Sequence, residues 1–235
     1  MLGALLWGVV AASSLTLGAL LALGRRWSDR VIGGVLAFGA GALISSVAFE
    51  LSEEGTRTAG PLPVAIGLAV GALSFYLATR ALERIGRRGG GGTAGLPLAL
   101  GALLDGVPEQ AVLGIGIASG EGVSIALLVA IFVSNLPEGI GSASDLLKAG
   151  RSRRVVLGLW LAVSVACALA TIGGYGAAQV AGPGFSGVVD GFAAGALLVM
   201  LVDSMIPEAR EKAGEIAGLL TVLGFAVGAG LSVLG

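Results

Sequence analysis

The sequence predicts an all-α integral membrane protein of eight transmembrane helices, and three observations predict it. Hydrophobic residues make up 55% of the 235-residue chain and charged residues only 12%, whereas a soluble domain carries about a quarter charged residues to coat its surface. The mean hydropathy is +0.95. The 42 glycines, set among many alanines, fit membrane helices, whose close approach relies on small residues where no hydrophobic effect drives them together.

A hydrocarbon core of about 30 Å is crossed by about 20 apolar residues. Eight such stretches run over 2–24, 31–52, 60–82, 97–119, 122–148, 154–180, 186–209 and 213–234. Each is expected to be a helix despite its Gly and Pro, because lipid offers the backbone no other hydrogen-bond partner. Arg25 and Arg26 follow the first stretch, whereas a signal peptide carries its charge ahead of the apolar segment, so an uncleaved helix is expected there. The cationic residues cluster after stretches 1 (Arg25, Arg26, Arg30), 3 (Arg80, Arg84, Arg87, Arg88), 5 (Lys148, Arg151, Arg153, Arg154) and 7 (Arg210, Lys212). Thirteen of the fourteen thus fall on one side and only Arg57 on the other. The positive-inside rule makes that side cytoplasmic and leaves both termini outside, with the plasma (inner) membrane the expected location.

The chain reads as a single transmembrane domain over 1–235. Residues 1–82 form a first three-helix unit, 83–96 a flexible cytoplasmic linker with four glycines from Gly89 to Gly92, 97–148 a central pair, and 154–234 a second three-helix unit. The outer units resemble each other. Gly41-Ala42-Leu43 with Glu53 and Glu54 matches Gly195-Ala196-Leu197 with Glu208, and Gly67-Leu68-Ala69-Val70-Gly71-Ala72 matches Gly224-Phe225-Ala226-Val227-Gly228-Ala229. Because helix 2 runs outward and helix 7 inward, this is an inverted repeat of helices 1–3 and 6–8 in a 3+2+3 chain, a recurrent transporter plan. Chance matching of Gly/Ala-rich sequence is the alternative.

Several function classes drop out early. A net charge of −1 argues against a nucleic-acid partner, and the single Cys167 admits no intrachain disulfide. With no histidine in the chain, Ser-His and Cys-His catalysis and imidazole ligation are excluded, and no enzymatic activity or prosthetic group is expected.

The chemistry lies in the central pair. Helix 4 reads Asp105-Gly106-Val107-Pro108-Glu109-Gln110 and helix 5 reads Ser134-Asn135-Leu136-Pro137-Glu138-Gly139. Each proline removes a helical hydrogen bond and exposes a carbonyl oxygen. Asp105 and Glu109 share one helix face, as do Ser134 and Glu138, with Asn135 alongside. A carboxylate at a helix centre costs about 2.5–3.5 kcal/mol on insertion scales, and no Lys or Arg lies nearby in either helix. A bound divalent cation compensates three such groups directly. Neutral carboxyls acting as packing glue are the bland alternative.

These motifs resemble those of the ZIP (ZRT/IRT-like protein) family of divalent-metal transporters, whose fourth and fifth helices typically read His-Asn-x-Pro-Glu-Gly. The segment from Phe192-Ala193-Ala194-Gly195-Ala196 to Asp203 and Pro207-Glu208 is similar to that family's seventh helix. The resemblance implies the 3+2+3 arrangement and a metal site, sometimes binuclear, between helices 4 and 5. Asp105 stands in the position of the first histidine and Gly106 in that of the asparagine; Glu109 matches, and Gln110 replaces glycine. Ser134 takes the second histidine's place, while Asn135, Pro137, Glu138 and Gly139 match. Gly106 removes a side-chain ligand from a second metal position, so one ion site is expected.

The expected metal ligands are Asp105, Glu109, Ser134, Asn135 and Glu138, an all-oxygen set that suits manganese, ferrous iron or magnesium and admits zinc. Ser142 and Asp145 continue the Glu138 face toward the cytoplasm as an exit path, though Asp145 reads equally as a solvated charge. Glu50 begins an acidic end of helix 2 that either attracts cations or is an ordinary solvated terminus, and Asp203 is a further pathway candidate. The expected function is transport of a zinc, iron or manganese class cation by alternating access. The alternatives are a ZIP-like transporter that has lost its metal and moves protons, a monovalent cation or a small solute, and, remotely, an intramembrane hydrolase built on Asp105 and Asp203. The expected partners are the metal substrate and the lipid bilayer, with a homodimer admissible.

Overall fold

The computed structural model describes residues 1–88, 95–118, 123–181 and 183–234; the side chains at 82–83, 85–102, 104–105, 181–185 and 234 lie outside the description. Eight helical rods account for nearly all of the described chain. They are α1 (Leu2–Gly24), α2 (Asp29–Ala59), α3 (Pro61–Arg88), α4 (Gly95–Ala118), α5 (Ile125–Lys148) and α6 (Arg153–Ala181). The seventh, α7, continues unbroken through Pro183–Met200, Leu201–Met205 and Ile206–Ala213, and α8 covers Ile216–Leu234. Seven helices among the described residues are long and apolar enough to cross a membrane. The chain is an all-α integral membrane protein.

The rods are longer at several ends than their apolar stretches, because helix signals and hydropathy signals stop at different residues. Ser28 caps α2, its side chain accepting from the Val31 amide, with Asp29 in the first turn. That helix then passes the expected end at 52 and stops at Gly60, whose φ of +89° is open to glycine, with Pro61 opening α3. At 31 residues and about 1.5 Å per residue, α2 is about 46 Å long, so its ends stand clear of the hydrocarbon. Arg57 and Glu54 pair there at 2.6 Å, the arginine largely exposed. The expected linker 83–96 is also corrected. Helix continues through Arg88 and resumes at Gly95, so 83–88 and 95–96 are helical, while 89–94 lie outside the described residues.

Both α2 and α7 carry a segment of wider, π-type turns: Val47–Glu53 in one and Leu201–Met205 in the other. Each begins six residues after the glycine of a matched Gly-Ala-Leu triplet, 41 to 47 and 195 to 201. Such insertions are rare and recur at functional positions.

Packing crosses between the two ends of the chain. The closest helix pairs are α3 with α7, α2 with α8, α4 with α6, and α1 with both α5 and α6. Glycine makes these approaches. A Cβ on Gly41 would meet the Thr221 carbonyl oxygen of α8, and one on Gly71 or Gly195 would meet the Phe192 or Leu68 carbonyl across the α3/α7 seam. Gly114 and Gly174 do the same across α4/α6, against Thr171 and Ala111. The core between the rods is small-residue rich, with Leu15, Leu36, Leu43, Ile131, Leu197 and Trp160 as its largest apolar groups. Trp27, at the end of α1, donates from Nε1 to the Leu21 carbonyl at 3.1 Å and lies under the Arg25 guanidinium.

Candidate metal site

Pro108 and Pro137 both sit inside continuous helices, so the Pro-Glu steps leave the rods unbroken. Glu109 is 1% exposed and Ser134 and Asn135 no more so. The Ser134 hydroxyl lies 3.2 Å from Glu109 Oε1, joining two helices across 25 residues of sequence, and 2.9 Å from the Ile131 carbonyl. One hydroxyl has one proton to give. When it goes to Ile131, the Ser134 lone pairs are left facing Glu109, an arrangement that a cation or a protonated carboxyl satisfies.

Asn135 is the second marker. Neither its Nδ2 nor its Oδ1 has a hydrogen-bond partner among the described residues. A buried amide left unmatched costs about 1–3 kcal/mol, a cost that a ligand at Asn135 would remove. Glu138 is half-buried one turn further along α5. Asp105 is part of α4, one turn before Glu109, but its side chain is outside the described residues. Among the described residues no group of three or more Asp, Glu, Cys or His side chains is close enough to hold a metal.

The walls come from three further helices. Gly39 of α2 lies against the Ser134 backbone, and Gly139 of α5 lies against Leu15 and Gly18 of α1. Gly106, in the position of the family's asparagine, leaves room that Cys167 of α6 fills: a Cβ at 106 would stand 2.7 Å from Cys167 Sγ. The thiol is fully buried and within electrostatic reach of both Glu138 and Glu109. One turn on, Thr171 Oγ1 donates to Gln110 Oε1 at 2.7 Å, and Gln110 Nε2 has no partner among the described residues.

Sequence reasoning missed Cys167, the Gln110–Thr171 pair and one cation. Lys212 of α7 lies against Gly141 of α5, three residues past Glu138, and its Nζ donates to Glu208 at 2.6 Å.

The flanking candidates separate. Asp145 accepts from Lys148 at 3.0 Å with both side chains more than half exposed, which favours the solvated reading; Ser142 is half-buried beside it. Glu50 is not at a helix terminus, since α2 continues past it. It is half-buried in the π-type segment and accepts from Ser232 of α8 at 3.0 Å. Asp203 is exposed in the matching segment of α7 and lines a cavity with Tyr76, Thr79 and Arg80 of α3.

A bundle of membrane helices enclosing buried carboxylate, hydroxyl and amide groups defines a membrane protein with polar groups between its helices. The sequence profile described as ZIP Zinc transporter matches residues 87–234, well over half of the chain, and the chain belongs to that family. Zinc transporter SLC39A7 of Rattus norvegicus is 30% identical over 128 residues, covering 52% of this chain and 27% of that protein. The Homo sapiens SLC39A7 gives the same figures. A putative zinc transporter of Arabidopsis thaliana is 27% identical over 194 residues, 78% of this chain and 31% of the relative. The chain therefore spans about a quarter to a third of the length of these relatives.

Proposed function

We propose that this chain moves a divalent metal cation across the membrane through the site formed by Asp105, Glu109, Ser134, Asn135 and Glu138. The observation that carries the reading is the buried Asn135 amide, without a partner among the described residues, set beside a Ser134–Glu109 contact that bridges the two motif helices. α4 is the eighth span, both termini lie outside, and the loops after α1, α3, α5 and α7 are cytoplasmic. The matched triplets, the paired π-type segments and the reciprocal α2/α8 and α3/α7 seams support a 3+2+3 chain with inverted outer units.

In this reading the ion exchanges water for carboxylate, hydroxyl and amide oxygens, and access alternates between the two sides. The oxygen set favours manganese or ferrous iron, while Cys167 at the α6 wall adds a sulfur that raises zinc's share. The relatives' names as zinc transporters point the same way. No enzymatic step is assigned, because the hydrolase alternative needs Asp203 facing Asp105 and Asp203 instead lines the α3 cavity.

Metal uptake into proteoliposomes containing the purified chain tests the reading. Glu109→Gln and Glu138→Gln are each expected to lower flux at least tenfold, and wild-type flux in both variants refutes it. Asp105 and Ser134 in the positions of the family's histidines, in a chain with no histidine, motivate a second reading, a ZIP-like carrier of protons, a monovalent cation or a small solute. Purified protein that retains no metal, with proton flux abolished in Glu138→Gln, decides for it.

A further inference from the structure

A cavity of about 260 Å³ lies between α3 and α7, lined by Tyr76, Thr79, Arg80 and Asp203. Below it the two helices are locked by glycine against backbone at Gly67, Gly71, Gly191 and Gly195. They part where α7 enters its π-type turns at Leu201–Met205. Arg80 closes the apolar span Pro61–Ala81, while Asp203 lies well inside the span Ser186–Ala213. The cavity therefore opens where an apolar wall meets the Arg-rich end of the bundle. Leu77 and Val202, adjacent in sequence to its lining, are 56% and 62% exposed and face outward.

The charges inside are opposite but not joined. Arg80 leans over the Tyr76 ring, its Cζ 5.0 Å from the centroid, and it makes no ion pair with Asp203, although both line the same space. Thr79 Oγ1 is buried with no partner among the described residues. A bare metal ion is opposed by the guanidinium, and a simple anion leaves Asp203 unmatched. A molecule with one anionic and one N–H cationic group matches both walls and gives the Thr79 hydroxyl an acceptor.

We propose that this cavity binds the headgroup of a phosphatidylethanolamine-type phospholipid, its phosphate on Arg80 and Thr79, its ammonium on Asp203, and its acyl chains along Leu77 and Val202. The binding is independent of metal transport, and it commits to the lipid rather than to a soluble zwitterion because the cavity adjoins an exposed apolar wall.

Native mass spectrometry of the full chain, incubated in detergent with equimolar phosphatidylethanolamine, phosphatidylglycerol and phosphatidylcholine, tests it. The wild type is expected to retain phosphatidylethanolamine preferentially. Arg80→Gln is expected to lose about tenfold in retention, equivalent to about 1.4 kcal/mol, and Asp203→Asn to bind phosphatidylethanolamine and phosphatidylglycerol alike. Arg84→Gln, one turn beyond the cavity, is expected to change nothing. Equal retention of all three lipids by the wild type, unchanged retention in Arg80→Gln, or an equal loss in Arg84→Gln, the mark of a general basic belt, overturns the proposal. Displacement of the lipid by millimolar glycerophosphoethanolamine overturns the lipid assignment in favour of a soluble ligand.

Discussion

Replacing Asn135 with leucine should make the metal-free protein more stable and its metal response disappear. The amide is 1% exposed and neither polar atom has a partner among the described residues. Burying an unmatched polar group costs about 1–3 kcal/mol, and leucine fills a similar volume without polar atoms. The chelator-treated variant is therefore expected to gain about 1–3 kcal/mol, which at about 2–4 °C per kcal/mol for a chain of this size raises Tm by roughly 2–12 °C. In the wild type, metal at a hundred times Kd stabilises by about 2.7 kcal/mol, a response the variant should largely lose if the Asn135 oxygen is a ligand. Thermal unfolding in detergent, with EDTA and then with manganese or zinc, reads both effects. A variant that melts no higher than wild type in EDTA, or that keeps the full metal-induced shift, refutes the reasoning.

Gly174→Ala and Gly173→Ala form a second test, because a Cβ at 174 would meet the Ala111 carbonyl whereas one at 173 meets nothing within 4 Å. Overpacking predicts a loss of about 1–3 kcal/mol for the first and no loss for the second by thermal melt; equal effects contradict the α4/α6 seam. Gly106→Asn places a Cβ 2.7 Å from Cys167 Sγ, so it should destabilise alone and recover in combination with Cys167→Ala. Metal content of that double variant by plasma mass spectrometry should rise from one ion per chain toward two. Lys212→Gln removes the 2.6 Å pair with Glu208. Because both partners are partly exposed, the stability change should stay below about 1 kcal/mol, and a larger loss on thermal melting would give Lys212 a structural role beyond that pair.

The apolar stretches and the repeated Pro-Glu steps were legible because both are local: hydropathy needs only a window, and a proline marks its own helix. Helix ends were less so. Hydropathy falls at 52 and 82, whereas the described helices run on to Ala59, ahead of Gly60-Pro61, and to Arg88. Long-range neighbours were not legible at all. Cys167 is 61 residues from Gly106, and Lys212 is 71 from Gly141, so the thiol at Gly106 and the ammonium at Gly141 arrive only through the packing of α6 and α7. For the same reason Glu50 read as a helix terminus, when its environment is set by Ser232 at the far end of the chain.

The glycine seams carry a mechanical consequence. Because α2 is fastened to α8 and α3 to α7, the first 82 residues do not form a piece that swings freely against the last 81. Any such swing would pull glycine off carbonyl at Gly41, Gly71 and Gly195 together. The close helix pairings run instead in two four-helix groups, with α2 also packed along α5 across them. One is the interlocked α2, α3, α7 and α8, and the other is α1, α4, α5 and α6, which holds both motif helices and Cys167. The candidate binding groups on α4 and α5 therefore sit on a different set of helices from the glycine-fastened α2/α8 and α3/α7 pairs, and the Gly39–Ser134 approach joins the two sets.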